Sequence, residues 1–163
     1  DLTGKVPVIL RPGFITEEML SEAIGRVKTD EAVKNLSPDK DLKPKAPGMK
    51  YRHYAPQGKM TIYKGNSENV VKVINEETAK SEGKKTAVLA TDETKRYYKA
   101  DIVISLGSRE DCESIAHNLF DTLRSFDDMG AEIIFSEGFD ESRLGFAIMN
   151  RLHKSAGYNI VNV

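Results

Sequence analysis

The side chains best suited to chemistry crowd into one run, KAPGMKYRHYAPQ at residues 45–57. Lys50, Arg52 and His53 are interleaved there with Tyr51 and Tyr54, between the turn formers Pro47-Gly48 and Pro56. No helical or strand period fits the run, and proline and glycine set its backbone, so it should be extended with one bend. Arginine and lysine suit phosphate oxygens, and a tyrosine face can stack on or cap a base. That is the equipment of a strap laid across an anionic, ring-bearing ligand such as a nucleotide. The competing reading is a solvated linker that happens to be basic, although linkers usually favour Ser, Gly, Glu and Lys over Tyr and His. An irregular strap of this kind should add nothing to a neighbouring core.

Other chemistry-bearing residues are scattered. Gly107-Ser108-Arg109 at a helix start could hold an anion, or be an ordinary cap with a solvated arginine. No GxxxxGK(S/T) phosphate loop, dinucleotide fingerprint or GxSxG elbow occurs, and Ser136-Glu137-Gly138 lacks the arrangement a nucleophile needs. His53, His117 and His153 have no partner at metal-ligand spacing, so no metal site is expected. His117 and His153 read as partly exposed helix residues. Tyr97-Tyr98 beside Lys95-Arg96 is one small basic-aromatic patch, and Cys112 reads as a small core residue on a helix. No catalytic constellation emerges from residues 59–163.

The elements that would position these groups alternate. Residues 6–10 (VPVIL) are strand-like, with Pro7 demoting them to an edge or an end; Arg11-Pro12-Gly13 is a turn, and Thr16 caps a short helix. Residues 25–44 are polar and proline-punctuated, with the composition of a linker. From residue 59 the texture changes. Strands are expected at 59–63, 86–90, 101–106 and 132–135, with an edge strand at 160–163. Helices are expected from the cap Ser67, from a capping box at Ser108 and from Ser142. The ten residues 91–100 are short for a parallel crossover and suggest an abbreviated helical turn. This rhythm predicts a three-layer, Rossmann-like α/β domain with a mainly parallel sheet over 59–163, preceded by an irregular linker.

The chain has 24 cations and 25 anions among its 163 residues, a balance that argues against a general nucleic-acid surface. Its apolar runs are far too short to span a bilayer, no charged-then-apolar leader opens it, and its lone cysteine suits a reducing compartment. The expectation is a cytoplasmic protein without a membrane partner. Because the first residue is Asp, the sequence is expected to begin inside a larger protein.

The run KAPGMKYRHYAP resembles the (S/A)PGM(K/R)xxHYxP linker of the two-domain L-threonylcarbamoyl-AMP synthases, and the opening DLTGKVPVILRPGFIT resembles the end of their YrdC-like catalytic domain. The resemblance implies three parts: residues 1–24 as the tail of the YrdC-like domain, 25–58 as the linker with its lid motif, and 59–163 as a C-terminal domain. It implies that the whole protein uses ATP, with Mg, together with L-threonine and bicarbonate, to make threonylcarbamoyl-AMP and pyrophosphate for tRNA modification. It implies nucleotide contacts for Arg11 and Tyr54, with Lys50, Arg52 and His53 as supporting donors on the lid. The catalytic domain itself would precede this chain, so these 163 residues alone are expected to be inactive. Two other roles for residues 59–163 stay open, a docking module for tRNA-modification partners and an independent nucleotide binder.

Overall fold

The computed structural model describes residues 1–34 and 55–163. The α/β domain is built on a five-stranded sheet of β3 (Lys59–Lys64), β4 (Thr86–Ala90), β5 (Ile102–Ser105), β6 (Ile133–Glu137) and β7 (Ile160–Asn162). The spatial order is β5-β4-β6-β3-β7, and every neighbouring pair is parallel. Parallel pairing forces crossovers, which are supplied by α3 (Ser67–Lys80), a 3-10 turn (Lys95–Tyr97), α4 (Cys112–Asp128) and α5 (Arg143–Ser155). The short β4–β5 crossover does use an abbreviated helical turn, and it does join parallel strands.

Alternation along the strands sorts side chains into two cores. Met60, Ile62, Ala87, Leu89 and Ile134 face α4 and α5, where Ile115, Leu119, Leu123, Phe126, Ile148, Met149 and Leu152 close the larger core. Tyr63, Val88, Ala90 and Phe135 face the other way, onto Val70 and Ile74 of α3 and onto Tyr98. The result is a three-layer sandwich with a fully buried interior strand, TAVLA of β4, as its near-continuous apolar sequence requires.

Helix starts differ from the sequence expectation by a residue or more. Asn66, not Ser67, caps α3 by accepting from the Glu68 amide. Asp111, not Ser108, caps α4. Ser142 is the N-cap of α5 as expected. Gly145 lets α5 lie directly under the preceding loop, since a Cβ there would collide with the Asp140 carbonyl oxygen.

The upstream residues are more structured than linker composition suggested. β1 (Val8–Ile9) and β2 (Lys28–Thr29) form a small parallel sheet, with α1 (Glu17–Ile24) between them and α2 (Glu31–Lys34) after. Val27 and Val33 are buried, and the Val33 carbonyl accepts from Asn150 on α5 at 3.4 Å. Two valines in a polar stretch are enough to anchor it. The end of the strap also docks: Pro56 is buried, and the Gln57 amide donates to Asp127 at 2.7 Å. This part of the strap does contribute to the domain, contrary to expectation, because β3 begins only two residues later.

Candidate functional site

The carboxyl ends of β4, β5 and β6 meet at the position where open α/β sheets usually bind ligands. The floor is Glu137, the last residue of β6, which is 1% exposed. Its carboxylate accepts from the Tyr98 hydroxyl at 2.8 Å, from Thr91 Oγ1 at 3.4 Å, and from Thr94 Oγ1 and Arg109 Nη2 at shorter range. Four donors match the lone-pair capacity of a carboxylate. Arg109 also donates to the Gly138 carbonyl oxygen at 3.0 Å and lies 5.3 Å over the Phe139 ring. Burial first, and the Glu137 charge second, push the Tyr98 phenol well above its ordinary range.

The turn at Gly107-Ser108-Arg109 holds an anion, and it is an internal one. Glu93 accepts from Ser108 Oγ at 2.6 Å, and both of its oxygens lie 3.1 Å from the Arg109 amide. The Ser108 hydroxyl leads in lowering the Glu93 carboxyl to about 2. Arg109 is therefore not the solvated arginine of an ordinary cap. Asp92, alongside, accepts from Lys95 Nζ at 2.8 Å and Ser105 Oγ at 2.9 Å. The strand ends are laced together by these side chains, a structural use of groups that could otherwise bind phosphate.

The second region lies along α5. Gly13 and Phe14 border an open cleft of about 600 Å³ whose base is Leu119, Leu144, Ala147 and Ile148 and whose rim includes His117 and Arg151. Ile15 to Glu18 border an adjoining cleft of about 520 Å³ with Ser142, Arg143 and Phe146. Arg11, at the head of the same turn, is exposed. Of the residues expected to bind nucleotide, Arg11 is thus placed on the described surface. Tyr54, and with it Lys50, Arg52 and His53, lies outside the described residues.

His153 is a correction: it is 3% exposed, not a partly exposed helix residue. The chain after α5 turns back over it, with the Tyr158 amide donating to the His153 carbonyl at 2.8 Å and the two rings 6.5 Å apart. Neither ring nitrogen has a hydrogen-bond partner, and burial holds its pKa below the ordinary imidazole value. Cys112 is half-buried against the larger core. Among the described residues no group of three His, Cys, Asp or Glu side chains could hold a metal, and no helix is long and apolar enough to cross a membrane.

Known proteins resolve what the geometry leaves open. The family model for the threonylcarbamoyl-AMP synthase C-terminal domain matches residues 15–157. The chain belongs to that family. It is 42% identical over 156 residues to the threonylcarbamoyl-AMP synthase of Bacillus subtilis, covering 96% of this chain and 43% of that protein. The Pyrococcus abyssi synthase is 43% identical over 100% of this chain and 46% of its own length. A crystal structure of P. abyssi Sua5 complexed with L-threonine superposes with a TM-score of 0.82 at 43% identity, covering 100% of this chain and 46% of that one. A structure of a C-terminal Sua5 domain from Pyrococcus horikoshii, 37% identical, covers 67% of this chain and 100% of its own, with a TM-score of 0.53. The chain thus spans less than half the length of the curated relatives it matches. The family match takes in α1, β2 and α2 as well as the α/β domain through the end of α5.

Sequence reasoning missed Glu137 and His153. The only sequence hint of the first is an acidic residue ending an otherwise apolar strand, IIFSE. For the second, a helix whose inner stripe already held Ile148 and Leu152 gave no sign that its neighbour was buried too.

Proposed function

We propose that the whole protein is an L-threonylcarbamoyladenylate synthase, and that these residues supply its lid linker and accessory domain. In this reading the threonine nitrogen attacks the carbon of bicarbonate, and loss of water gives a carbamate. A carbamate oxygen attacks the α-phosphorus of ATP, and pyrophosphate leaves. The observation that carries the reading is a match at 43% identity over the entire chain, including both the Arg11 turn and the KYRHY run, to a synthase of twice its length. Arg11 meets the nucleotide phosphates and Tyr54 the bound nucleotide, while Lys50, Arg52 and His53 add donors as the strap closes. Closure excludes water, which protects the carbamate and strengthens every charge–phosphate contact. The strap's assignment draws support from a solved relative in which an adjacent His-Tyr pair was replaced by alanine, since His53-Tyr54 is the one such pair here.

The protein works in the cytoplasm with its own preceding YrdC-like domain, and hands the adenylate on for tRNA modification. Mg accompanies the ATP, and no group of three His, Cys, Asp or Glu side chains among the described residues could hold the ion. The test is pyrophosphate release and adenylate formation by the full-length protein supplied with ATP, L-threonine and bicarbonate. Neither product from a folded full-length preparation would refute the reading.

A docking role for the α/β domain is compatible with this and has its own support. The strand-end groups are committed to one another, whereas the clefts beside α5 are open. That same commitment speaks against an independent nucleotide site at the strand ends.

A further inference from the structure

The segment that holds Arg11 is pinned on both sides of it. Upstream, the Ile9 carbonyl of β1 accepts from the Asp30 amide at 2.9 Å. Downstream, Thr16 caps α1, its hydroxyl accepting from the Met19 amide at 3.4 Å. Pro12 locks φ at the position after Arg11. Between Gly13 and Thr16 the chain straddles α5. Gly13 and Ala147 border both clefts beside that helix, whereas Phe14 borders only the one shared with α4 and Ile15 only the one shared with Arg143 and Phe146. The chain bends at Phe14-Ile15 and sends the two side chains into different clefts, with Ala147 on the ridge between them. Ala147 is 7% exposed, and its single methyl is what lets another segment cross the helix at that point.

Phe14 and Ile15 are each 54% exposed, and neither belongs to the core of the α/β domain. Half-open side chains contribute less by burial than core residues do, so their placement astride one helix needs a different account. A saddle resists sliding to either side, and this one begins two residues after Arg11. We propose that Phe14 and Ile15, seated on either side of Ala147, are positioning residues for Arg11, so that α5 takes part in catalysis by fixing where that guanidinium is held. This deepens, and rests on, the assignment of Arg11 to the nucleotide phosphates. A guanidinium meets phosphate through a planar fork whose strength depends on its direction. Misplacing a binding group by about 1 Å can cost on the order of a hundredfold in rate, even when the change lies away from the reacting atoms.

The test measures pyrophosphate release by the full-length protein, with ATP and L-threonine varied separately. Phe14→Ala, and Ala147→Leu, which lifts the turn off the helix, should each lower kcat/KM for ATP on the order of tenfold and leave KM for L-threonine within about twofold. Phe14→Leu should recover most of the loss, because an apolar side chain of similar reach still fills the cleft. In an Arg11→Ala background Phe14→Ala should cost less than about twofold, since a residue that acts through Arg11 then has nothing to position. A Phe14→Ala enzyme within about twofold of wild type, or a loss that persists undiminished without Arg11, overturns the proposal. If Ala147→Leu does not fold, the two Phe14 variants, at a half-exposed position, decide by the same criteria. A wild type that releases no pyrophosphate, or an Arg11→Ala enzyme with full activity, refutes the proposed reaction or its nucleotide contact instead. Amide exchange over residues 10–16 then decides the saddle: it should quicken at least about fivefold in Phe14→Ala, and unchanged exchange overturns the proposal as well.

Discussion

Removing the guanidinium of Arg109 should unfold the strand-end network more than any cap or surface change. Glu137 is 2% exposed in its side chain and Arg109 is 34% exposed, so Arg109→Met leaves a buried carboxylate with three hydroxyl donors and no countercharge. Breaking a buried pair from one side costs about 3–5 kcal/mol. The partial exposure of Arg109 screens the pair and brings the expectation to about 2–3 kcal/mol. Glu137→Gln should cost a similar amount, since it strands the guanidinium over Phe139 and leaves one of the hydroxyls facing a donor. The double variant removes both charges and should cost less than the sum, with a coupling of at least about 1 kcal/mol. Urea unfolding of the four proteins, followed by circular dichroism, measures all three quantities. Additive single-variant losses, with coupling under about 0.5 kcal/mol, would refute the claim that this pair ties β6 to the β5–α4 loop.

Two further outcomes concern the core. His153 has a folded pKa below its unfolded value, so the unfolded chain binds the extra proton; the stability this neutral imidazole secures is present above about 6.5 and is lost progressively as pH falls below that value toward the lower folded pKa. His153→Phe should therefore flatten the melting temperature between pH 5 and 7, and an unchanged acid slope would show that another group is responsible. Phe126 is fully buried between α4 and the sheet, and Phe126→Ala should cost about 3–5 kcal/mol in denaturant unfolding; a loss under about 1 kcal/mol would mean that the larger core does not depend on it.

The α/β domain was legible because local signals agreed. TAVLA and DIVISL read as strands buried on both faces, which holds for the first, whereas the second is a half-buried edge strand; the stripe Ile115, Leu119, Leu123 and Phe126 read as a helix face, and glycines punctuated the ends. What could not be read was non-local. The order β5-β4-β6-β3-β7 places β6 between strands that come earlier in the chain, and only that order brings Arg109 to Glu137. Val27 and Val33 carried no periodic signal, so the small parallel sheet and α2 were hidden in polar composition. Ser108 looked like a cap because its neighbours are acidic; its hydroxyl instead serves Glu93, fifteen residues upstream. Arg11 was legible as a candidate only through its motif, and the structure places it exposed at the head of its turn.

The most direct measurement is adenylate synthesis by the full-length protein and its Tyr54→Ala variant, with ATP, L-threonine and bicarbonate, alongside the 163-residue chain. The account predicts threonylcarbamoyl-AMP and pyrophosphate from the full-length protein, a loss on the order of tenfold or more in the variant at an unchanged melting temperature, and none from the shorter chain. Synthesis by the 163 residues alone, or full activity without the Tyr54 ring, would contradict it.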